Sequence, residues 1–172
     1  MATTYAFQGM SRADLPMIRR WLRTPQVVRW WGDPDEQYEL VSSDLDHADM
    51  DQFIVALDGH PFAYIQCYRL STRNHRFGDH PKETRGIDQF IGEPELLACG
   101  HGGKFIRQFV DECFKKGVPR VITDPDPKND RAVRAYEKAG FERVGLVDTP
   151  DGQSLLMVRH WCNLSPQHSS HS

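Results

Sequence analysis

The stretch Arg85 to Lys104 reads Arg-Gly-Ile-Asp-Gln-Phe-Ile-Gly-Glu-Pro-Glu-Leu-Leu-Ala-Cys-Gly-His-Gly-Gly-Lys. It opens as a short apolar run that carries one carboxylate, Asp88, and breaks at Gly92 and Pro94. A glycine-rich turn follows, Gly100, Gly102 and Gly103, and behind it Phe105, Ile106, Phe109, Val110, Cys113 and Phe114 recur at helical spacing. That recurrence predicts a helix with one buried stripe. Gly117 is placed to be its C′ residue, and Pro119 forbids continuation. A strand that bulges and then feeds a helix N-terminus can hold a phosphate-bearing group beside a base, because free N–H groups and the helix dipole attract anions. A glycine cluster alone is weak evidence, since about half of such clusters are simply turns. This one is not a Walker motif, for Gly-Lys-Ser/Thr is missing, and it is a poor dinucleotide fingerprint.

Working outward, Thr3 to Gln8 alternates Tyr5 and Phe7 with polar residues, which predicts a half-buried strand. Ser11 and Asp14 resemble a capping box for a helix running to about Arg23, stopped by Thr24-Pro25. The pair Trp30-Trp31 then precedes a turn, and either packs in the core or lines a substrate cleft. Asp35 to Met50 reads as a second helix. Phe53–Leu57 and Phe62–Arg69 read as a hairpin joined by Asp58-Gly59, a pair suited to a type I′ turn. In its second strand Tyr64, Gln66 and Tyr68 share one face. Leu70 to Thr84 is a long charged loop and a candidate lid. Val121 to Thr123 is a short strand ended by Asp124-Pro125-Asp126-Pro127, and Asn129 with Asp130 can cap a helix that closes at Gly140. A last hairpin turns around Thr149-Pro150-Asp151-Gly152. Strands on both sides of each central helix argue for an α/β fold with a mixed central sheet flanked by helices.

Bulk properties bound the function. With 172 residues, 39% of them hydrophobic and 26% charged, the chain is long enough to bury its own core as one domain over residues 1–162, with a disordered tail at 163–172. A net charge of -3 supplies no field for nucleic acid or an anionic membrane. No apolar run approaches the ~20 residues of a membrane span, and no basic-then-apolar leader opens the chain. Cys67, Cys99, Cys113 and Cys162 lack any C-x-x-C spacing, so reduced thiols, a cytoplasmic location and no metal are expected.

Leu97-Ala98-Cys99-Gly100-His101-Gly102 resembles the acetyl-CoA pyrophosphate loop of the GNAT acetyltransferases, with Leu97 where the family usually has Gln or Arg. Asn129 to Phe141 resembles the family's asparagine-led helix, which closes in Tyr-Glu-Lys-x-Gly-Phe. Val28-Arg29-Trp30-Trp31-Gly32, Gly86-Ile87-Asp88-Gln89, Thr123-Asp124-Pro125 and Thr149-Pro150-Asp151-Gly152 narrow the resemblance to the aminoglycoside 6'-N-acetyltransferases, over nearly the whole chain.

That resemblance implies the GNAT acyl-CoA N-acyltransferase fold, acetyl-CoA as donor and a small cationic amine as acceptor. It implies Asp88 as the base and Tyr136 as the acid. Phe90, Ile91, Leu97 to Lys104, Asn129, Ala132 and Tyr136 would contact the cofactor. Trp30, Trp31, Asp124 and Asp151, with Asp88, would seat the acceptor. The chemistry is coherent, because a protonated amine needs a nearby carboxylate to become a nucleophile and a departing thiolate needs a proton. From the residues alone, Asp88 could equally be a surface carboxylate and Tyr136 a core aromatic. The segment Arg69 to Arg85 carries Arg69, Arg73, Arg76, Lys82 and Arg85 against two acids, and such a lid would repel a polycation if those side chains faced the cleft. An N-hydroxylysine or another amine acceptor, and a silent acetyl-CoA-binding module, are the competing expectations.

Overall fold

The computed structural model describes residues 3–70 and 77–162. Seven strands form one sheet in the order β1-β2-β3-β4-β5-β7-β6. They are β1 (Tyr5–Gly9), β2 (Met50–Leu57), β3 (His60–Arg69), β4 (Arg85–Ile91), β5 (Arg120–Thr123), β6 (Glu142–Thr149) and β7 (Gly152–His160). Helices α1 (Leu15–Leu22), α2 (Pro25–Trp31) and α3 (Pro34–Asp44) lie between β1 and β2, α4 (His101–Lys115) links β4 to β5, and α5 (Asp130–Lys138) links β5 to β6. Every neighbouring pair is antiparallel except β4 and β5. The mixed α/β architecture therefore matches the expectation.

The chain before β2 departs from it in two places. Pro25 does not merely stop α1: Thr24 is an extended N-cap and Pro25 begins α2, where its fixed φ suits a first turn. Trp30 and Trp31 therefore ride on a helix rather than an approach to a turn. The expected helix to Met50 also ends early, at Asp44, because Met50, Asp51 and Gln52 extend β2 and pair with Tyr68, Cys67 and Gln66. Other local readings hold. Asp58 and Gly59 both take positive φ, 50° and 80°, as a type I′ turn requires. Asn129 caps α5 by accepting the Ala132 N–H at 3.2 Å, and Gly117 and Gly140 leave their helices at positive φ.

Burial is organised by sheet face. Phe105, Ile106, Phe109 and Val110 of α4 and Val133 and Tyr136 of α5 pack with Ile65, Ile87, Val121 and Met157. Ile18, Trp21 and Leu22 of α1, Val27 of α2 and Val41 of α3 pack with Ile54, Tyr64 and Phe90 on the other face. Farther along, Phe77 is buried against Ile122, Leu156 and Val158, so the middle of the expected lid touches the core. The cations Arg73 and Arg76 and the tail at 163–172 lie outside the described residues.

The end of β4 is clamped by α1. Gly92 and Glu93 both donate their N–H to the Phe62 carbonyl, at 2.8 and 3.3 Å, so two residues face one and the strand bulges. The Trp21 indole lies over the Gly92 Cα, where a Cβ would overlap ring carbons. Trp21 Nε1 and Arg20 Nη2 donate to Glu93 Oε1 at 2.9 and 3.1 Å. Gly92→Ala is therefore expected to displace Trp21 and lose about 1–3 kcal/mol of stability. A urea unfolding midpoint equal to the parent's would contradict the clamp.

Candidate functional site

Strands β4 and β5 touch only at their beginnings. Their ladder has two rungs, Arg85 with Val121 and Gly86 with Ile122, whereas β4 stays paired with β3 along its whole length. Beyond the second rung a side chain replaces the backbone, Thr123 Oγ1 donating to the Ile87 carbonyl at 3.0 Å. Pro125 then gives its carbonyl to Leu155 N–H on β7 at 2.8 Å, which draws the chain away from β4. The sheet consequently parts alongside Asp88 to Ile91.

The pairing of β3 and β4 determines which backbone groups face this parting. Hydrogen-bond direction alternates along an antiparallel strand. Since Gly92 N–H points to β3, the N–H groups of Phe90 and Asp88 do so too, and those of Gln89 and Ile91 turn toward the parting. Of Phe90 and Ile91, the two β4 residues expected to contact the cofactor, it is Ile91 whose N–H faces the gap.

Asp88 and Tyr136 reach the parting from opposite faces. Asp88 is on the face of β4 that also carries Phe90 and packs toward α1, α2 and α3, whereas Tyr136 comes from α5 and is buried with the α4 cluster. The Tyr136 hydroxyl is within hydrogen-bonding reach of Thr123 and Gln89. Burial pushes its pKa well above the ordinary tyrosine value, and the negative charges of Asp88 and, more weakly, Asp124 add to the rise. The phenol is thus a neutral donor at pH 7.

Asp88 is held by a row of polar side chains that crosses three strands. Gln52 of β2 stands opposite Gln66 of β3, which stands opposite Asp88. Gln66 Nε2 donates to Asp88 Oδ2 at 3.0 Å, and Tyr64 OH donates to Gln66 Oε1 at 2.7 Å. Gln52 Nε2 donates to the Tyr64 oxygen at 3.1 Å and to the Val41 carbonyl at 2.9 Å. The sequence reading placed Gln66 on a face with Tyr64 but missed Gln52, which looks like loop between Asp51 and Phe53. Gln52 is buried, and it stands opposite Gln66 only because the register shifts between Val55 and Ala56.

The glycine turn enters α4 with Ala98 and Gly100 both left-handed, at φ 59° and 81°. The first turn of α4 holds no acid, and no side chain caps it at Gly100, so its N–H groups and dipole are available to an anion. Ala98, Cys99, Gly100 and Lys104 are exposed, and Leu97 is half-buried. His101 turns inward, its Nδ1 2.8 Å from Tyr5 OH, so its backbone rather than its ring faces the turn's outer side. A Cβ at Gly102 would sit 3.5 Å from Ala135, and one at Gly103 would sit 3.1 Å from Lys138 Cβ and 3.3 Å from the Ala135 carbonyl. Gly103 answers a packing demand, the close approach of α4 to α5, whereas a Cβ at Gly102 would make an ordinary contact. A left-handed turn, an uncapped helix start and a parted sheet suit a pyrophosphate on a slender arm.

On the acceptor side, Trp31 packs edge-on against Phe90 and Tyr64, with ring centres 5.1 and 6.2 Å apart. Trp30 is half-buried, with the Arg29 guanidinium 4.7 Å from its ring centre. Asp124 follows the end of β5, and its charge reaches the Tyr136 hydroxyl only weakly. Asp151 is exposed in the β6–β7 turn, roughly 13 Å along the strand from Leu155. Among the loop's described cations, Arg85 pairs with Glu83 at 3.2 Å.

Comparison with known proteins agrees with this geometry. Residues 11–149 match the acetyltransferase (GNAT) domain. The chain is 37% identical over 160 residues to an aminoglycoside N(6')-acetyltransferase type 1 of Klebsiella pneumoniae, covering 87% of this chain and 80% of that protein. It is 49% identical over 76 residues to a kanamycin resistance protein of Rhizobium radiobacter, covering 44% and 70%. The structure of AAC(6')-Ib in complex with ribostamycin and coenzyme A superposes with a TM-score of 0.84 at 33% identity, covering 97% of this chain and 99% of that one. The fold, the N-acetyltransferase class and acetyl-CoA as donor thus stand as the sequence led one to expect. Parted strands, an uncapped α4 and the matched domain lead to one conclusion: this chain belongs to the GNAT acetyltransferase family.

Proposed function

We propose that the protein acetylates the 6'-amine of an aminoglycoside, with Asp88 as base and Tyr136 as acid. The observation that carries this reading is that the two side chains flank the parting of β4 and β5 from opposite faces, Tyr136 beside Thr123 and Gln89, and Asp88 the neighbour of Gln89 on β4. The similarity to an aminoglycoside N(6')-acetyltransferase supports the choice of acceptor. Acetyl-CoA, when bound, supplies an activated acetyl thioester. The residues that would hold it are the backbone of Leu97 to Lys104 at its pyrophosphate, Asn129 and Ala132 at the start of α5, and Phe90 and Ile91 along the parting.

The roles follow from where each group stands. Asp88, directly or through a water, takes a proton from the acceptor ammonium so that a neutral amine faces the thioester carbon. Ile91 N–H, turned into the gap, donates to the thioester oxygen as negative charge grows there. Tyr136 gives its proton to the sulfur as the carbon–sulfur bond breaks and the nitrogen–carbon bond forms, and its oxygen recovers a proton from the acetylated nitrogen, directly or through a water. The two titrating groups are coupled. While Asp88 is ionised its charge helps hold the Tyr136 proton, and once Asp88 has taken the amine's proton that restraint ends, so Tyr136 becomes a stronger acid when the sulfur needs one. Asp124 and Asp151 seat the other ammonium groups of the acceptor, with Trp30 and Trp31 near its rings.

Purified protein with acetyl-CoA and kanamycin is expected to release CoA thiol and to yield a product acetylated at the 6'-nitrogen, located by NMR. Thiol release with N-hydroxylysine alone, or acetyl-CoA binding without turnover of any amine, would contradict the reading. Asp88→Asn is expected to lower kcat/KM by about 10²–10⁴-fold, with acetyl-CoA affinity unchanged by calorimetry. An unchanged rate removes Asp88 from the base role. Tyr136→Phe is expected to lower kcat by about 10²-fold. In the parent protein the alkaline limb of kcat should lie above the ordinary tyrosine range, since a phenol with a raised pKa stays protonated to higher pH; an alkaline limb below that range would refute the acid role.

A further inference from the structure

We propose that Gln66 is a positioning residue for Asp88, oriented by Tyr64 and Gln52 through hydrogen bonds anchored on the Val41 carbonyl. The inference rests on the reading of Asp88 as the base and adds how that base is aimed.

The direction of every bond in the row is forced. The Val41 carbonyl can only accept, so Gln52 must present Nε2 to it, at 2.9 Å. The same nitrogen reaches the Tyr64 oxygen at 3.1 Å and donates there too. Tyr64 has a single proton and gives it to Gln66 Oε1 at 2.7 Å. With Oε1 accepting, Gln66 has to turn Nε2 toward Asp88, where it meets Oδ2 at 3.0 Å. Two glutamines whose amides could otherwise turn over are thereby fixed from a backbone atom on α3, and the row ends on the carboxylate of β4. Gln52, Gln66 and Asp88 are directly opposed across β2, β3 and β4, so the sheet itself sets their spacing. Burial of Tyr64 pushes its pKa far above the usual tyrosine range, so it remains a donor at any working pH.

Two consequences follow. A donor aimed at an ionised carboxylate favours the charged form, so Gln66 favours an ionised Asp88. The other titratable groups facing this row are Tyr136 from α5, Tyr64 within it and Asp44 of α3, whose charge reaches Tyr64. The second consequence concerns proton traffic. An amide link does not relay a proton, so the row holds Asp88 without draining it, and the proton taken from the amine has to leave by way of the cleft.

The test is the pH dependence of kcat/KM for kanamycin in Gln66→Leu, Gln66→Glu and Tyr64→Phe, with Asp88→Asn as reference and a thermal melt of each variant. Gln66→Leu is expected to move the acid limb upward by about one pH unit, tenfold in proton affinity, and to lower kcat/KM about tenfold, with KM for acetyl-CoA unchanged. Gln66→Glu, which puts a second carboxylate beside Asp88, should move the limb farther up. Tyr64→Phe leaves Gln66 in place but lets its amide turn, and should give a smaller shift of the same sign. It decides the matter if the Gln66 variants fold poorly. Titration of the Asp88 carboxyl carbon by NMR reads the same shift without turnover. If Asp88→Asn is inactive while the limb and the NMR titration stay where they were in all three variants, the positioning role is overturned and the base reading stands. If Asp88→Asn keeps the parent rate, the base reading falls and this inference falls with it.

Discussion

Everything at this site depends on two neighbouring parallel strands failing to stay together. A parallel ladder that continued past Gly86 and Ile122 would satisfy the backbone groups of Gln89 and Ile91 and close the sheet. Instead the third rung is made by the Thr123 hydroxyl, and the Pro125 carbonyl is bonded to β7. On the other side, the bulge at Gly92 and Glu93 holds β4 against β3 and α1. Each strand is thus committed to its outer neighbour, and the gap is a consequence of those commitments rather than of missing contacts.

In the proposed reaction the gap lets residues from two faces of one sheet act on the same atoms. A sheet ordinarily insulates its faces, since alternate side chains point opposite ways. Here the α5 tyrosine and the β4 aspartate influence each other through the opening. Division of labour follows. The α4–α5 face offers a helix start without a cap and a buried phenol, which suit an anionic, thiol-bearing donor. The face under α1, α2 and α3 offers a carboxylate, an aromatic wall of Trp31, Tyr64 and Phe90, and the hydrogen-bonded row through Gln66. In the proposed reaction the acceptor uses the second face and the donor the first.

Much of this was legible in the sequence, and the exceptions have physical causes. Helical spacing revealed α4, Asn129 and Gly140 revealed α5, and Asp58-Gly59 revealed the hairpin, because each signal is local. Pro25 was misread because proline suits both the end of one helix and the first turn of the next. Gln52 was missed for a subtler reason. Counting back from the two-residue turn pairs Gln52 with Ile65, but the shift between Val55 and Ala56 leaves Phe62 unpaired and moves Gln52 opposite Gln66. A one-residue change of register reverses which faces meet, and nothing local in the sequence announces it. The reason for Gly103 was also hidden, since the close approach of α4 to α5 is a property of the packed fold.

The most direct test is a crystal structure with acetyl-CoA and an aminoglycoside bound. The thioester should lie in the parting of β4 and β5, its oxygen facing Ile91 N–H, its sulfur beside Tyr136 and the 6'-amine beside Asp88. A thioester found elsewhere, with β4 and β5 paired beyond Gly86 and Ile122, would contradict it.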